Sequence, residues 1–563
     1  MQPPLTEPDA SSPGKRRLRR LDVALLGTVL LAAIPVLYLA ATQFVEYDGY
    51  CYIFGAGQDR WSKLVEWYGQ DPHPPLYYFL LRAALHFGTS HLTYRAVSIL
   101  TGLGTVYLVG LAASKTMRSS LAPVLTALAF GLALPTIVMS CEVRAYMLCT
   151  FFLLLSYCAL LDVLARRGAT GSLRARIVFA AAAALACLSD YYAFFYVAAA
   201  LFVSALFGTL QRSESRWKAV ARDAATFAPV LGLMTYEYFS HGEKYAVMQG
   251  HLLSFYYGGA EAESVGEYLL RNLRNLFNLF SPWPAPDGPV FLAILAGLLL
   301  AAGVALWLLR RLGEPDNRAA MATMLAAGLI LAQLMLAGAL GKYPFGGLLR
   351  QQFLLFPFLV LCAFFISDRL FAAIPRRAAY LLAGLLSLAI VVVSYWRFDA
   401  FPKVKEALMT EQIQRFERLF PAPAAVYLDR FNLIAFFLHH DDWKWEFDGQ
   451  AGSIADVDVY RVSRGERRML VFRDKRRWIL DCGDATLYDN LAGCMRSRGL
   501  SRIDLFRLAQ DEAPWETGEL SAYRKSVTES AGAVGLCVQE LLIQDRDVYA
   551  EVRTGGCFAP PQR

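Results

Sequence analysis

The chain has 563 residues, of which 56 % are hydrophobic and 18 % charged, a charge content well below the roughly 25 % usual in soluble domains. That composition excludes a disordered chain, a fibrous repeat and an ordinary soluble enzyme. The average conceals two regimes: residues 1–400 carry 55 charged side chains and the much shorter stretch 401–563 carries 48. The first part therefore reads as a lipid-embedded bundle and the second as a water-soluble domain of ordinary size. The positive excess lies in short clusters between apolar runs, a pattern that sets membrane orientation and is no nucleic-acid signature.

A spanning helix needs about 20 apolar residues. Residues 21–42 meet this and follow Lys15, Arg16, Arg17, Arg19 and Arg20, so residues 1–20 read as a cytoplasmic basic tail by the positive-inside rule. The run is longer than the roughly 7–15 residues of a signal-peptide core and reads as an uncleaved first span. Residues 43–93 form an external loop in which 75–87 is an interfacial helix. Spans follow at 94–113, 121–140 and 146–165. The stretch 177–210 is too long for one helix and is interrupted by Ser189-Asp190-Tyr191-Tyr192, which predicts two. Residues 224–239 lead out to a second external loop, 240–287, and 288–309, 319–340, 353–366 and 378–396 complete about eleven spans.

The expected fold class is mainly α: a polytopic transmembrane helix bundle over residues 21–400, with a C-terminal soluble α/β domain over 401–563 on the extracytoplasmic side. Within that domain the apolar runs 425–428 and 433–438 mark core segments. It holds Cys482, Cys494, Cys537 and Cys557, an even number in a compartment that permits disulfides. Three pairings are open, as is the alternative of buried free thiols.

An ionisable side chain in a bilayer must face a cavity, a partner or the interface, so acids and bases at the outer ends of helices mark candidate chemistry. Glu46 and Asp48, just past the first span, can accept a proton from an incoming hydroxyl or amine, or be a solvated acidic loop. Asp71-Pro72-His73-Pro74-Pro75-Leu76-Tyr77-Tyr78 holds an extended backbone and then releases it into an aromatic interfacial segment. A metal at Asp71 and His73 is the weaker reading, because the seven histidines fall in no Cys/His array. Glu142 and Arg144 are two apart and so address separate groups, with the Arg144 fork suited to a phosphate or, alternatively, snorkelling to headgroups. Asp190, Tyr191 and Tyr192 join Lys342, Tyr343 and Arg350 at the same outer level, as an anionic lipid head would require. Tyr256, Tyr257 and Trp283 can stack on sugar rings, or belong to an interfacial aromatic belt.

An acid after the first span, then His73-Pro74-Pro75-Leu76-Tyr77-Tyr78, then Glu142-x-Arg144-x-Tyr146, then an acid before Tyr191-Tyr192, resembles the glycosyltransferase C superfamily. Within it the pattern is similar to bacterial membrane enzymes related to protein mannosyltransferases and the lipid A aminoarabinose transferase. The resemblance extends in topology over residues 20–400, with motif matches within 46–192. It implies transfer of a sugar from a polyprenyl-phosphate donor, with inversion, to an extracytoplasmic acceptor (lipid, polysaccharide or protein) at the outer face of a bacterial inner membrane. Asp48 matches the family's loop acid. The commoner Asp-Glu pair is absent, and Glu46 stands two residues earlier, so both acids stay candidates. Asp190 replaces a His frequent among relatives, and the C-terminal domain matches no family feature.

No phosphate-binding Gly-rich loop of the dinucleotide or nucleoside-triphosphate type is present, so no cofactor is expected. A transporter or lipid flippase is the main alternative. Its paired halves with interrupted helices find one counterpart here, at Asp190, and no internal repeat. A scaffold acting through residues 401–563 is a third reading.

Overall fold

The computed structural model describes residues 13–43, 45, 47–57, 60–62, 64–65, 73–88, 90–165, 172–209, 216–249, 257, 264–280 and 318–401, and in the C-terminal part 418, 425–429, 444–446, 453–454, 457–464, 467–474, 485–507, 517–544 and 547–555. The chain divides into two compact units. One comprises residues 1–42 and 55–402, and the other joins residues 43–54 to 403–563.

The first unit is helical. Helix α1 (Pro13–Thr42) is followed, after the second unit's α2 (Tyr47–Ala56), by α3 (Leu76–Leu85), α4 (His91–Thr116), α5 (Ala122–Leu132), α6 (Leu134–Cys141), α7 (Tyr146–Ala165), α8 (Ser172–Cys187), α9 (Ala193–Thr209) and α10 (Arg216–Gln249). Then come α11 (Val265–Phe280), α12 (Arg318–Ala339), the short α13 (Leu349–Gln352), α14 (Phe356–Ala373) and α15 (Arg376–Asp399). Six described helices are long and apolar enough to cross a membrane: residues 21–42 of α1, α4, α7, α12, the continuous stretch 349–373 and α15. This is a multi-pass membrane protein. Residues 288–309, expected as a span, lie outside the described residues, and 224–239 fall inside α10, which carries Pro229.

The segment 121–140, read as one span, is broken into α5 and α6 with a bend of 57°. Pro135 is the cause. It lacks an N–H and its ring clashes with the carbonyl four residues back, so Ala133 turns extended (φ −65°, ψ 133°) and a new helix starts with the proline in its first turn. The interruption at 188–192 gives two helices, as the sequence pattern predicts. Packing is centred where α4, α6, α7, α8 and α9 bury Val106, Val109, Met139, Met147, Leu153, Tyr157, Ala183, Tyr196 and Val197. Gly102 and Gly131 permit close approach, since a Cβ on Gly102 would fall 2.2 Å from the Ser140 hydroxyl oxygen and one on Gly131 3.0 Å from Ala32 Cβ.

The second unit contains a mixed sheet in the order β2-β4-β5-β1-β6-β8-β7. Its strands are β1 (Ala425–Asp429), β2 (Lys444–Glu446), β3 (Ser453–Ile454), β4 (Val457–Arg464), β5 (Arg467–Asp474), β6 (Arg502–Arg507), β7 (Leu536–Gln544) and β8 (Asp547–Thr554), with β3 paired to β4. The central β1 runs parallel to β5 and β6. Helices α16 (Ala485–Arg498) and α17 (Thr517–Ala533) bury Tyr488, Leu491, Met495 and Val527 with Tyr427, Phe472, Leu505 and Ala550 of the sheet. Residues 433–438 lie outside the described residues. Cys537 is disulfide-bonded, while Cys494 is a buried thiol in no disulfide, so the four cysteines do not form two bridges. Cys482 and Cys557 lie outside the described residues.

Candidate functional site

Three short breaks between helices carry most of the candidate side chains of the first unit. The His73-Pro74-Pro75 element enters α3, and its backbone is tied to the α8–α9 turn where Leu76 N donates to Leu188 O at 3.1 Å. In that turn Asp190 accepts from Tyr192 N at 3.1 Å, the local side-chain-to-backbone bond that makes Asp a turn residue. The third break follows α6: Glu142 caps the helix in an extended conformation (φ −71°, ψ 136°), and Val143 and Arg144 lead into α7.

Two aromatic residues floor the cluster. Tyr146 and Tyr192 stack with centroids 5.8 Å apart, and the Tyr192 hydroxyl lies 3.0 Å from Thr150 Oγ1. The Arg144 guanidinium stands 5.8 Å from the Tyr146 ring centroid and donates to its hydroxyl at 3.5 Å. Arg144, 4 % exposed, is deeper than a headgroup-snorkelling side chain would be.

Electrostatic neighbours define the rest. Burial pushes the Asp190 carboxyl up to about 6, with His73, the Tyr192 N–H and Arg144 pulling it back. Tyr146 feels the charges of Arg144, Arg350, Asp190 and Glu142. Tyr77 feels those of Arg95 and Glu142, and its buried phenol is pushed above its ordinary value. His73, Glu142, Arg144, Asp190 and Arg350 thus share one neighbourhood with Tyr77, Tyr146 and Tyr192, three cationic or protonatable groups around two acids.

The remaining expected residues make other contacts. Lys342 is exposed, and among the described residues no hydrogen bond or ion pair joins its side chain to this cluster. Tyr343 is buried, donates to Gln351 O at 2.6 Å and meets the Phe195 ring edge-on at 5.1 Å, so it braces the short helix that carries Arg350. Tyr191 packs edge-on to Phe194. Tyr257 meets Tyr268 at 5.6 Å. Asp48 has its backbone in α2, within the segment that groups with the C-terminal unit. Glu46, Asp71, Tyr256 and Trp283 lie outside the described residues. Among the described residues no three of His, Cys, Asp and Glu gather to hold a metal.

Sequence reading missed Arg95 and Ser98. Arg95 is 2 % exposed inside an otherwise apolar helix, and a charge within such a run is itself the signal that would have singled it out.

No protein-family model matches the chain, and no curated protein matches it in sequence. Among solved structures, apo ArnT from Cupriavidus metallidurans superposes with a TM-score of 0.52 at 13 % identity, covering 96 % of this chain and 98 % of that one. The same protein bound to undecaprenyl phosphate gives 0.44 at 14 % identity, over 96 % and 99 %. The archaeal oligosaccharyltransferase AglB from Archaeoglobus fulgidus, in complex with an inhibitory peptide and a dolichol-phosphate, gives 0.45 at 11 % identity, over 86 % and 69 %. ArnT and AglB are members of the glycosyltransferase C superfamily, and the first superposition shows that this chain shares the ArnT fold.

Proposed function

We propose, from the shared ArnT fold, that the protein is an integral-membrane glycosyltransferase moving a sugar from a polyprenyl-phosphate donor to an extracytoplasmic acceptor. The observation that carries the reading is the cluster on that fold in which buried Arg144 and half-buried Arg350 and His73 are electrostatic neighbours of a stacked tyrosine pair and Asp190. It is suited to a phosphate head at the edge of a hydrocarbon layer. ArnT itself has been solved with undecaprenyl phosphate, a donor leaving group of this class.

In the proposed reaction an acceptor hydroxyl oxygen forms a bond to the anomeric carbon as the bond from that carbon to the lipid phosphate oxygen breaks, inverting the centre. The hydroxyl proton passes to a carboxylate, with Asp48 or Glu46 assigned as base, help typically worth about 10²- to 10⁴-fold. Arg144 and Arg350 offset the charge gathering on the departing phosphate. The donor carries its own leaving group, so the scheme needs no nucleotide cofactor.

The same reading puts about eleven spans in a bacterial inner membrane, the N-terminal tail in the cytoplasm and residues 401–563 in the periplasm or outside the cell. Its supports are the Arg/Lys clusters, which fall on one side of the span pattern, and the Cys537 disulfide, which fits an oxidising compartment. Lipid mass spectrometry and glycan analysis of a deletion strain test the function. The expected result is an accumulated polyprenyl-phosphate sugar and a missing glycan, and substrate moved across vesicles without covalent change would replace the reading with transport.

A further inference from the structure

His91, Arg95 and Ser98 recur at helical spacing and share one face of α4. Arg95 donates from Nε to Cys141 O at 2.7 Å and from Nη1 to Ala40 O at 2.9 Å. Its Nη1 also lies 3.2 Å from His91 Nδ1. Cys141 is the last residue of α6 and Ala40 lies in the last turn of α1. Carbonyls at helix C-termini lack intrahelical donors and carry the negative end of the helix dipole. One buried guanidinium therefore satisfies the ends of two helices at once, with the charge sign both ends favour.

Ser98, fully buried, lies one turn further along the same face. Its hydroxyl donates to Arg144 O at 3.3 Å and lies 3.0 Å from the Tyr77 hydroxyl. The chain leaves Cys141 directly into Glu142 and Arg144. The segment bearing Glu142 and Arg144 and the helix bearing Tyr77 are thus both bonded to this face of α4.

We propose that Arg95 and Ser98 are the positioning residues of the site: Arg95 ties the α6 end from which Glu142 and Arg144 leave to the last turn of α1, and Ser98 couples Tyr77 to the backbone of Arg144. Neither touches substrate. The substrate side of this inference rests on the transferase reading, whereas the positioning of residues 141–146 does not.

The test uses the full chain in lipid nanodiscs with Arg95→Lys, Ser98→Ala and Ser98→Thr. Arg95→Lys keeps the charge but loses the fork that reaches both carbonyls. Amide hydrogen exchange over 141–146 is expected to accelerate by about tenfold in Arg95→Lys and Ser98→Ala. Exchange within 100–113 stays as in the wild type. With a polyprenyl-phosphate sugar as donor, kcat falls by about tenfold or more while KM stays within about twofold, the signature of lost transition-state geometry. Ser98→Thr, which keeps the hydroxyl, restores both readouts. Unchanged exchange at 141–146 in Ser98→Ala overturns the proposal, and so does a failure of Ser98→Thr to restore it; if Arg95→Lys does not fold, the Ser98 pair decides alone. A wild type that neither binds nor turns over the donor removes the transferase reading and leaves the exchange comparison to judge the positioning.

Discussion

The Tyr192 hydroxyl donates to the backbone carbonyl of Tyr146 at 2.5 Å while the two rings stack at 24°. That contact locks the turn bearing Asp190 to the first residue of the helix that follows Arg144, so two motifs 46 positions apart move as one body. Tyr192→Phe keeps the stack and removes the donor, leaving a buried carbonyl one partner short. The Thr150 hydroxyl still donates to that carbonyl, so a loss of about 0.5–1.5 kcal/mol in stability is expected, read as a lower unfolding midpoint in detergent or nanodiscs.

Asp48→Asn should leave folding intact and lower turnover by at least about 10²-fold, the lower end of general-base assistance. Steady-state transfer by the purified variant measures this. Near-normal turnover would move the assignment to Glu46, for which Glu46→Gln is the matching experiment.

Arg144→Lys should raise KM for a polyprenyl-phosphate sugar and lower kcat/KM by about tenfold or more, because an ammonium keeps the charge but cannot present a planar fork to phosphate oxygens. The comparison with Lys342→Ala is diagnostic. Lys342 is exposed, and its loss should change kcat/KM by less than about twofold, the usual scale for an exposed charge.

Asp190 should make stability pH-dependent. Its carboxyl is pushed from 3.8 to about 6 by burial, against the pull of His73, the Tyr192 N–H and Arg144. Between those values the native state holds a proton that the unfolded chain has released. The resulting stabilisation is complete below the unfolded value and is lost as pH rises through about 6, amounting to about 3 kcal/mol. Relative to Asp190→Asn, the wild-type unfolding midpoint should fall as pH is raised from about 4 to about 7. A difference that does not vary with pH would show that Asp190 does not titrate in this window.

In the second unit, Cys537 should react with a thiol-alkylating reagent only after reduction, and Cys494, buried and in no disulfide, only after unfolding. Reduction should destabilise that unit by about 2–4 kcal/mol. Peptide mass spectrometry before and after reductant checks the first point, and thermal unfolding checks the second.

Much of the helical unit was legible because hydrophobic length is a local property. The runs at 21–42, 94–113 and 146–165 fall on α1, α4 and α7, and an apolar stretch of that length has few other ways to satisfy its backbone in lipid. The break at Ala133 was in principle readable from Pro135, yet the hydropathy of 121–140 is continuous across it, and hydropathy alone cannot register a missing N–H. Arg95 was absorbed into an apolar span for a related reason: one charge scarcely alters a window average. Its purpose depends on two carbonyls 46 and 55 positions away.

The sequence by itself determined which residues must live in lipid, which in water, and which motif residues could do chemistry, because solvent preference and functional-group identity belong to single side chains and short windows. Only the tertiary structure decided that His73, Glu142, Arg144, Asp190 and Arg350 share a neighbourhood. Helix packing and the fixed geometry of helix ends make such neighbours, and no local pattern encodes a distance between residues 73 and 350.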